Sequence, residues 1–374
     1  MINREKLSLE WINKVSRENH NADKILIEKV IRALLLLEGL VKQNLPFVFK
    51  GGTALMLHLN STKRLSIDID IILPNTPEKL DDIFDSVANE QGFLRKEMQH
   101  RKTQLKIIKE HYKFFYTPIH KSNKAEEFVL LDILFEEVNY AKVVKIPIQS
   151  TLVPILEEPI LVDVPCLEDM LGDKLTAFAP NTTGIPYFKN GDSMSMEIIK
   201  QLYDVGNLLD VVSDLQIIKS TFFRFAKTEL AYRNKADKNE KDVLDDILQT
   251  SLCIVTRGTD GNGDYKQLLM GIQRISSFIF SESFHLEKAI TYASKAAYIS
   301  AMIMYNAEKI VKFENPLQIK EWLIVEPMNT KLNKLKKSNP EAFFYWYKIY
   351  ELTVKKMPTV ILRKTGFGDN IKRS

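Results

Sequence analysis

The chain has 374 residues, 45% of them apolar and 27% charged, with a formal net charge of +4. That is the balance of a globular protein able to bury a large core, and it argues against a disordered or membrane-spanning chain. Cys166 and Cys253 are the only cysteines, which excludes a disulfide framework and a cysteine-rich metal site.

At roughly 150 residues per domain, this length suggests about two domains. The first twenty residues carry Arg4, Glu5, Lys6, Glu10 and Lys14 and no apolar run of the kind that leads secretion, so a cytoplasmic protein is expected. The mild positive excess permits a nucleic-acid partner without requiring one.

In chain order, Asp23 to Gln43 predicts a helix from the spacing of Ile25, Ile27, Val30, Ile31, Leu34, Leu35 and Leu37, stopped by Asn44 and Pro46. Phe47 to Phe49 predicts a short strand broken by Gly51-Gly52, and Thr53 to Leu59 one or two helical turns. Leu65 to Leu73 predicts a strand ended by Pro74, and Pro77 to Glu90 a helix. Leu105 to Ile108 with Tyr112 to Tyr116 predicts a hairpin, and Phe128 to Phe135 a strong strand. Val143 to Ile148 and Thr151 to Ile155 predict two more.

From about Leu167 the pattern turns helical. Loops fall at Pro180 to Ser193 and Asp260 to Asp264, and long helices at Leu286 to Val311 and Pro340 to Leu352. The tail from Lys355 is basic and is expected to fray. The reading is an α+β fold: a mixed sheet with flanking helices (residues 1–165), then a mainly helical part (166–374) that completes a cleft.

The chemistry concentrates in Phe47 to Pro74. On a strand, Asp68 and Asp70 share one face while Ile67, Ile69 and Ile71 face a core. Their Cα atoms would lie about 6.5–7 Å apart. Like charges so close repel, and a divalent cation with hard oxygen ligands, Mg²⁺, relieves the cost. The pair taken alone also fits the solvated face of an edge strand. Gly51-Gly52-Thr53 following a strand can open a helix whose amides cradle a phosphate, with the Thr53 hydroxyl as a further donor. Alone, it also fits a plain turn. Lys50 and Arg64 add positive charge, and Ser66 shares the face of Asp68. Asp132 sits on a strand face with Leu130 and Leu134, where an unpaired carboxylate is costly. A metal, a base role or a local salt bridge would each account for it.

The run GGTAL followed by RLSIDIDI resembles the nucleotidyltransferases of the AbiEii/AbiGii toxin family, within the polymerase-beta-like superfamily. Fourteen residues separate Thr53 from Asp68, slightly more than the usual spacer. The resemblance covers about residues 25 to 210. It implies that Asp68 and Asp70 bind Mg²⁺, with Asp132 as third ligand or base. It also implies that Lys50, Gly51, Gly52, Thr53 and Ser66 hold a nucleoside triphosphate. Lys174, in LEDMLGDKLTAF, matches the family's helix lysine and would contact the triphosphate. Asp204, in IIKQLYDVGNLLD, matches a later helix aspartate. The arginine and aspartate that precede it in many members are replaced here by Ile199, Lys200 and Gln201. By sequence alone, Lys174 is an exposed helix lysine and Asp204 a surface or ion-paired residue.

The resemblance implies an enzyme that transfers a nucleotide to an acceptor such as a tRNA 3′ end and so blocks translation. It would be the toxin of a toxin–antitoxin pair in phage defence, restrained by a cognate antitoxin. A nucleotidyltransferase acting on a protein or small molecule, and a non-catalytic RNA-binding or partner-binding module, are the rival readings. The histidines are scattered, and His58 is expected to be packed. The aromatic run Phe343 to Tyr347 is expected to be core. The basic run Lys331 to Lys337 is expected to be a solvated face, though it could also track an RNA backbone.

Overall fold

The computed structural model describes residues 1–59, 63–99, 109–120 and 124–356. The predicted strand Leu105 to Ile108 and the tail beyond residue 356 lie outside the described residues.

Two helices open the chain, α1 (Leu9–Glu18) and α2 (Lys24–Lys42). The Ser8 side chain caps α1 by accepting from the Trp11 amide, and Asp23 caps α2 by accepting from the Ile25 and Leu26 amides. α2 buries residues round most of its circumference, Ile27 to Leu40, as a core helix must. Next come β1 (Val48–Lys50), α3 (Gly51–His58), β2 (Ile69–Ile72), α4 (Leu80–Gln91), β3 (Arg95–Met98), β4 (Lys109–Tyr116) and β5 (Glu127–Leu134). They form a five-stranded mixed sheet in the order β1-β2-β5-β4-β3. The β2–β5 pair is parallel and the others are antiparallel.

Burial alternates strictly along β5. Tyr112, Phe114, Val129, Leu131 and Ile133 are buried on the face that α2 and α4 cover, where Phe84 of α4 meets the Tyr112 ring edge-on at 4.9 Å. The opposite face carries Asp70, His111, Lys113, Phe128 and Asp132, none of them fully buried. Strand alternation thus separates core from chemistry.

A small hairpin of β6 (Val143–Pro147) and β7 (Leu161–Pro165) leads into the helices. These begin with α5 (Leu167–Ala177) and, after the two-residue strands β8 (Phe188–Lys189) and β9 (Asp192–Ser193), continue with α6 (Ser195–Val211) and α7 (Leu215–Tyr232). Then come α8 (Glu240–Val255), α9 (Tyr265–Arg274), α10 (Leu286–Met304), the single turn α11 (Leu335–Ser338) and α12 (Pro340–Lys356). α10 is the central helix. Its fully buried Ala289, Ala293, Ala296, Ala297 and Ala301 let α6, α8 and α12 pack closely around it. The aromatic run on α12 is core, and Trp346 Nε1 donates to Ser294 Oγ at 2.9 Å. Most buried apolar residues from Ile2 to Ile349 form one large contiguous cluster that joins sheet and helices, and Val48, Ile72, Tyr140 and Phe225 form a second, small one. No helix among the described residues is long and apolar enough to cross a membrane.

The α+β class holds, and three expectations need correction. Thr151 to Ile155 is a turn closed by one bridge to Ile2; Pro154 lacks an amide hydrogen for a ladder, and its carbonyl accepts from the Asn3 amide. The partner of β6 is instead Leu161–Pro165. The strand expected over Leu65 to Leu73 pairs only at Ile69–Ile72, because the Leu65 amide bonds to the Phe278 carbonyl. The helix expected to reach Val311 stops at Met304, where Asn306 turns left-handed (φ +48°) and the Ala307 amide closes on the Met302 carbonyl.

Candidate active site

β1 ends at Lys50, and the chain turns at once into α3. Gly51 makes that turn at φ +81°, and a Cβ there would collide with Asp70 Oδ2. A Cβ on Gly52 would meet Ser66 Oγ at 2.6 Å and Arg64 Nη2 at 2.7 Å. The two glycines therefore let the start of α3 sit directly against Asp70, Ser66 and Arg64. No side chain caps α3, which leaves its first amides free to meet an anion. Thr53 plays a different part from the phosphate donor expected of it. It is fully buried and its hydroxyl donates to the Asp68 carbonyl at 2.7 Å, bracing the chain at Asp68.

The carboxylates come from two strands. Asp70 on β2 and Asp132 on β5 are directly opposite each other in the parallel register, and Asp68 lies just before β2. Burial, then the charge of Asp132, pushes Asp68 up to about 6. Burial, then the charges of Asp132 and Asp68, pushes Asp70 up to about 7. Asp132 also faces His111 across the β4–β5 ladder, and His111 Nδ1 and Asp132 Oδ1 share a hydrogen bond of 2.6 Å.

A ring of cations faces this pair. Arg64 Nε and Nη2 each donate to Asp204 at 2.7 Å, and Lys174 Nζ lies 2.9 Å from Asp204 Oδ2 and 3.0 Å from Gln201 Oε1. Asp204 is only 3% exposed. Burial alone would raise its carboxyl, but Arg64 and Lys174 hold it below the usual carboxylate range. Both its oxygens accept from cations, so it anchors Arg64 and Lys174 at the cleft wall. Lys174 is largely covered and ion-paired, unlike the exposed lysine that sequence alone suggested. Lys50 pairs with Asp173 at 3.1 Å; burial opposes its charge, and Asp173 with Tyr140 outweighs that and raises it. Lys200 pairs with Glu197 at 2.9 Å and sits 4.1 Å over the Phe278 ring.

Lys50, Gly51, Gly52, Arg64, Ser66, Asp68, Asp70 and Lys174 line one cleft, together with Asp173, Glu197, Lys200, Gln201 and Phe278. The structure brings the expected residues together, with Asp132 beside Asp70, Asp204 behind Arg64 and Thr53 beneath Asp68. His111, Asp173, Glu197, Lys200 and Phe278 were missed. Lys200 had a readable signal: it lies one helical turn before Asp204, in the stretch where the motif departs from the family pattern. A larger surface groove beside α1, lined by residues such as Glu10, Trp11 and Arg17, shares no residue with this cleft.

The chain belongs to the AbiEii nucleotidyltransferase toxin family: the family model described as "Nucleotidyl transferase AbiEii toxin, Type IV TA system" matches residues 35–272. It is a nucleotidyltransferase, and the matched span holds every site residue from Lys50 to Asp204. Among solved structures, the chain is similar to JHP933 from Helicobacter pylori at 15% identity and a TM-score of 0.40, covering 80% of this chain and 94% of that one. It is also similar to a second H. pylori protein, provisionally named a nucleotidyltransferase, at 16% identity and a TM-score of 0.40, covering 75% and 94%. No curated protein matches the chain.

Proposed function

We propose that this enzyme transfers a nucleoside monophosphate from a nucleoside triphosphate to the 3′ end of a tRNA, with Mg²⁺ as cofactor. The observation that carries this reading is the placement of Asp70 beside Asp132, with Asp68 next to them, against the uncapped start of α3. In that reading the triphosphate meets the amides of Gly51 and Gly52 and the cations Arg64, Lys174 and Lys200. The acceptor 3′-hydroxyl attacks the α-phosphorus, the bond from that phosphorus to the bridging oxygen breaks, and pyrophosphate leaves. Asp132, oriented by His111, takes the hydroxyl proton. The catalysis is then mainly positioning and electrostatics.

The residues present fit a divalent ion. Asp68 and Asp70, with Asp132 as third, would hold it, and their mutual repulsion is the cost an ion removes. The ion would supply charge neutralisation at the phosphates. Among the described residues no three acidic, histidine or cysteine side chains already converge on one point. Mg²⁺ keeps few protein ligands and completes its shell with water and substrate phosphates.

The proposed division of labour follows the sequence. Residues 1–165 carry the carboxylates, and residues 166–374 supply Lys174 and Asp204 and close the cleft. The enzyme would act in the cytoplasm as the toxin of a pair used in phage defence, block translation by capping tRNA, and be restrained by an antitoxin protein. The test is a labelling assay: purified protein, Mg²⁺ and total tRNA with each α-labelled nucleoside triphosphate, beside Asp68→Ala. Label on tRNA that depends on Mg²⁺ and Asp68 supports the reading. Label on protein alone, or none with any nucleotide, removes tRNA as the acceptor.

A further inference from the structure

Three of the strands present a second feature on the face that bears Asp132. Moving along β5 away from Asp132, the residues on that face are Leu130 and then Phe128. The cross-strand partners of Asp132, Leu130 and Phe128 on β4 are His111, Lys113 and Phe115 in that order. Phe115 in turn faces Arg95 on β3. The Phe115 and Phe128 rings lie 5.8 Å apart, and Lys113 Nζ sits 4.4 Å over the Phe128 ring. Arg95 stacks 3.9 Å from the Phe115 ring, and Lys29 reaches from α2 to within 5.5 Å of Phe128. None of these side chains is fully buried. The core under α2 and α4 is filled by the alternate residues, so burial in it does not account for two phenylalanines here.

We propose that this partly exposed face, Phe128 and Phe115 with Lys113, Lys29 and Arg95, is the platform on which the single-stranded 3′ end of the acceptor RNA lies. The proposal rests on the reading of the acceptor as RNA. Three arguments favour this occupant. Aromatic rings interleaved with cations are what single strands use, because every base has a stacking face and every nucleotide a phosphate. The platform is continuous with the catalytic carboxylates. Four residue steps along β5 lead from Phe128 to Asp132, about 13 Å at strand rise, which a few nucleotides span. The positive charge is partly compensated: Arg95 pairs with Glu97 and Glu126, and Lys29 with Glu127. Among the described residues Lys113 has no carboxylate at ion-pair distance, so it is the first candidate for a phosphate contact.

The experiment uses the full chain. Transfer to tRNA is followed at varied RNA and varied nucleotide, and binding of a fluorescent single-stranded RNA ending in CCA is titrated over a range of salt. Phe128→Leu keeps the apolar packing and loses the ring face; Phe128→Tyr restores the ring. The expected result is a rise of at least about tenfold in the RNA KM and Kd for Phe128→Leu, with the nucleotide KM within twofold and Phe128→Tyr close to the parent. Lys113→Ala should weaken binding and flatten the slope of log K against log salt by about 0.7. Melting curves for each variant separate misfolding from lost binding. If the parent labels RNA and these variants leave RNA KM, Kd and salt slope unchanged, the platform is overturned while RNA transfer stands. If the parent neither binds nor labels RNA, or labels only protein, both fall.

Discussion

Arg64 and Asp204 form a two-pronged ion pair between the segment before β2 and helix α6, with Nε and Nη2 each 2.7 Å from a carboxylate oxygen. Neither residue has appreciable exposure, and Lys174 shares Oδ2. The pair fixes two cations at the cleft wall by means of an acid that is itself out of reach. Asp204→Ala leaves two covered cations without a counter-charge and should lower unfolding free energy by about 3–5 kcal/mol. Asp204→Asn should cost less and still raise the nucleotide KM, since it keeps the shape and loses the charge. Urea unfolding and steady-state kinetics on both variants check this. An unchanged nucleotide KM in a folded Asp204→Asn would show that the anchor is only structural.

Gly51 and Gly52 make separable predictions. Gly51→Ala meets Asp70 directly and is strained at φ +81°, so transfer should fall about 100-fold as Asp70 is displaced. Gly52→Ala presses on Ser66 and Arg64 instead, so its effect should fall on nucleotide KM more than on kcat. Kinetics with the nucleotide varied distinguish the two.

The raised carboxyls predict a pH dependence. Asp68 and Asp70 titrate at about 6 and about 7 in the folded chain, above an unfolded value of about 3.9. The folded state therefore holds their protons more tightly. Their contribution to stability is fully present below pH ~4 and is lost as pH rises through 6 and 7. In chelator-treated buffer, Asp70→Asn should gain stability relative to the parent as pH climbs from 5 to 8. A stability difference, variant minus parent, that stays flat or falls over that range would contradict the assignment. Mg²⁺ competes with the same protons, so its affinity should be higher at pH 8 than at pH 6.

Thr53 tests the brace under Asp68. Its hydroxyl is fully buried and bonded to the Asp68 carbonyl. Thr53→Val should cost about 1–3 kcal/mol by leaving that carbonyl unpaired, and should slow transfer. Thr53→Ser keeps the bond and should retain most of the activity. Chemical denaturation beside the transfer assay reads both effects.

The sequence was most readable where one local rule governed. Strand alternation put Asp132 on the face opposite Val129, Leu131 and Ile133, and the Gly-Gly turn announced the start of α3. It failed where the deciding partner was distant. Leu65 left the expected strand because its amide bonds to Phe278, more than two hundred residues away. Lys174 looked exposed because nothing near it in sequence says that Asp204 sits against it. His111 was passed over as one of six scattered histidines, since its role comes from the β4–β5 register, which one strand cannot reveal. A strand was expected at Thr151 to Ile155 because the stretch is apolar enough for one, and the weight of Pro154 was overlooked.

The apolar cluster that runs unbroken from the sheet into the helices bears on how the cleft works. Its two walls are cut from one packed body, and close-packed interiors resist hinge-like opening. A substrate thus meets a slot whose width was set during folding. Prying the walls apart would mean breaking the core that holds the whole chain folded.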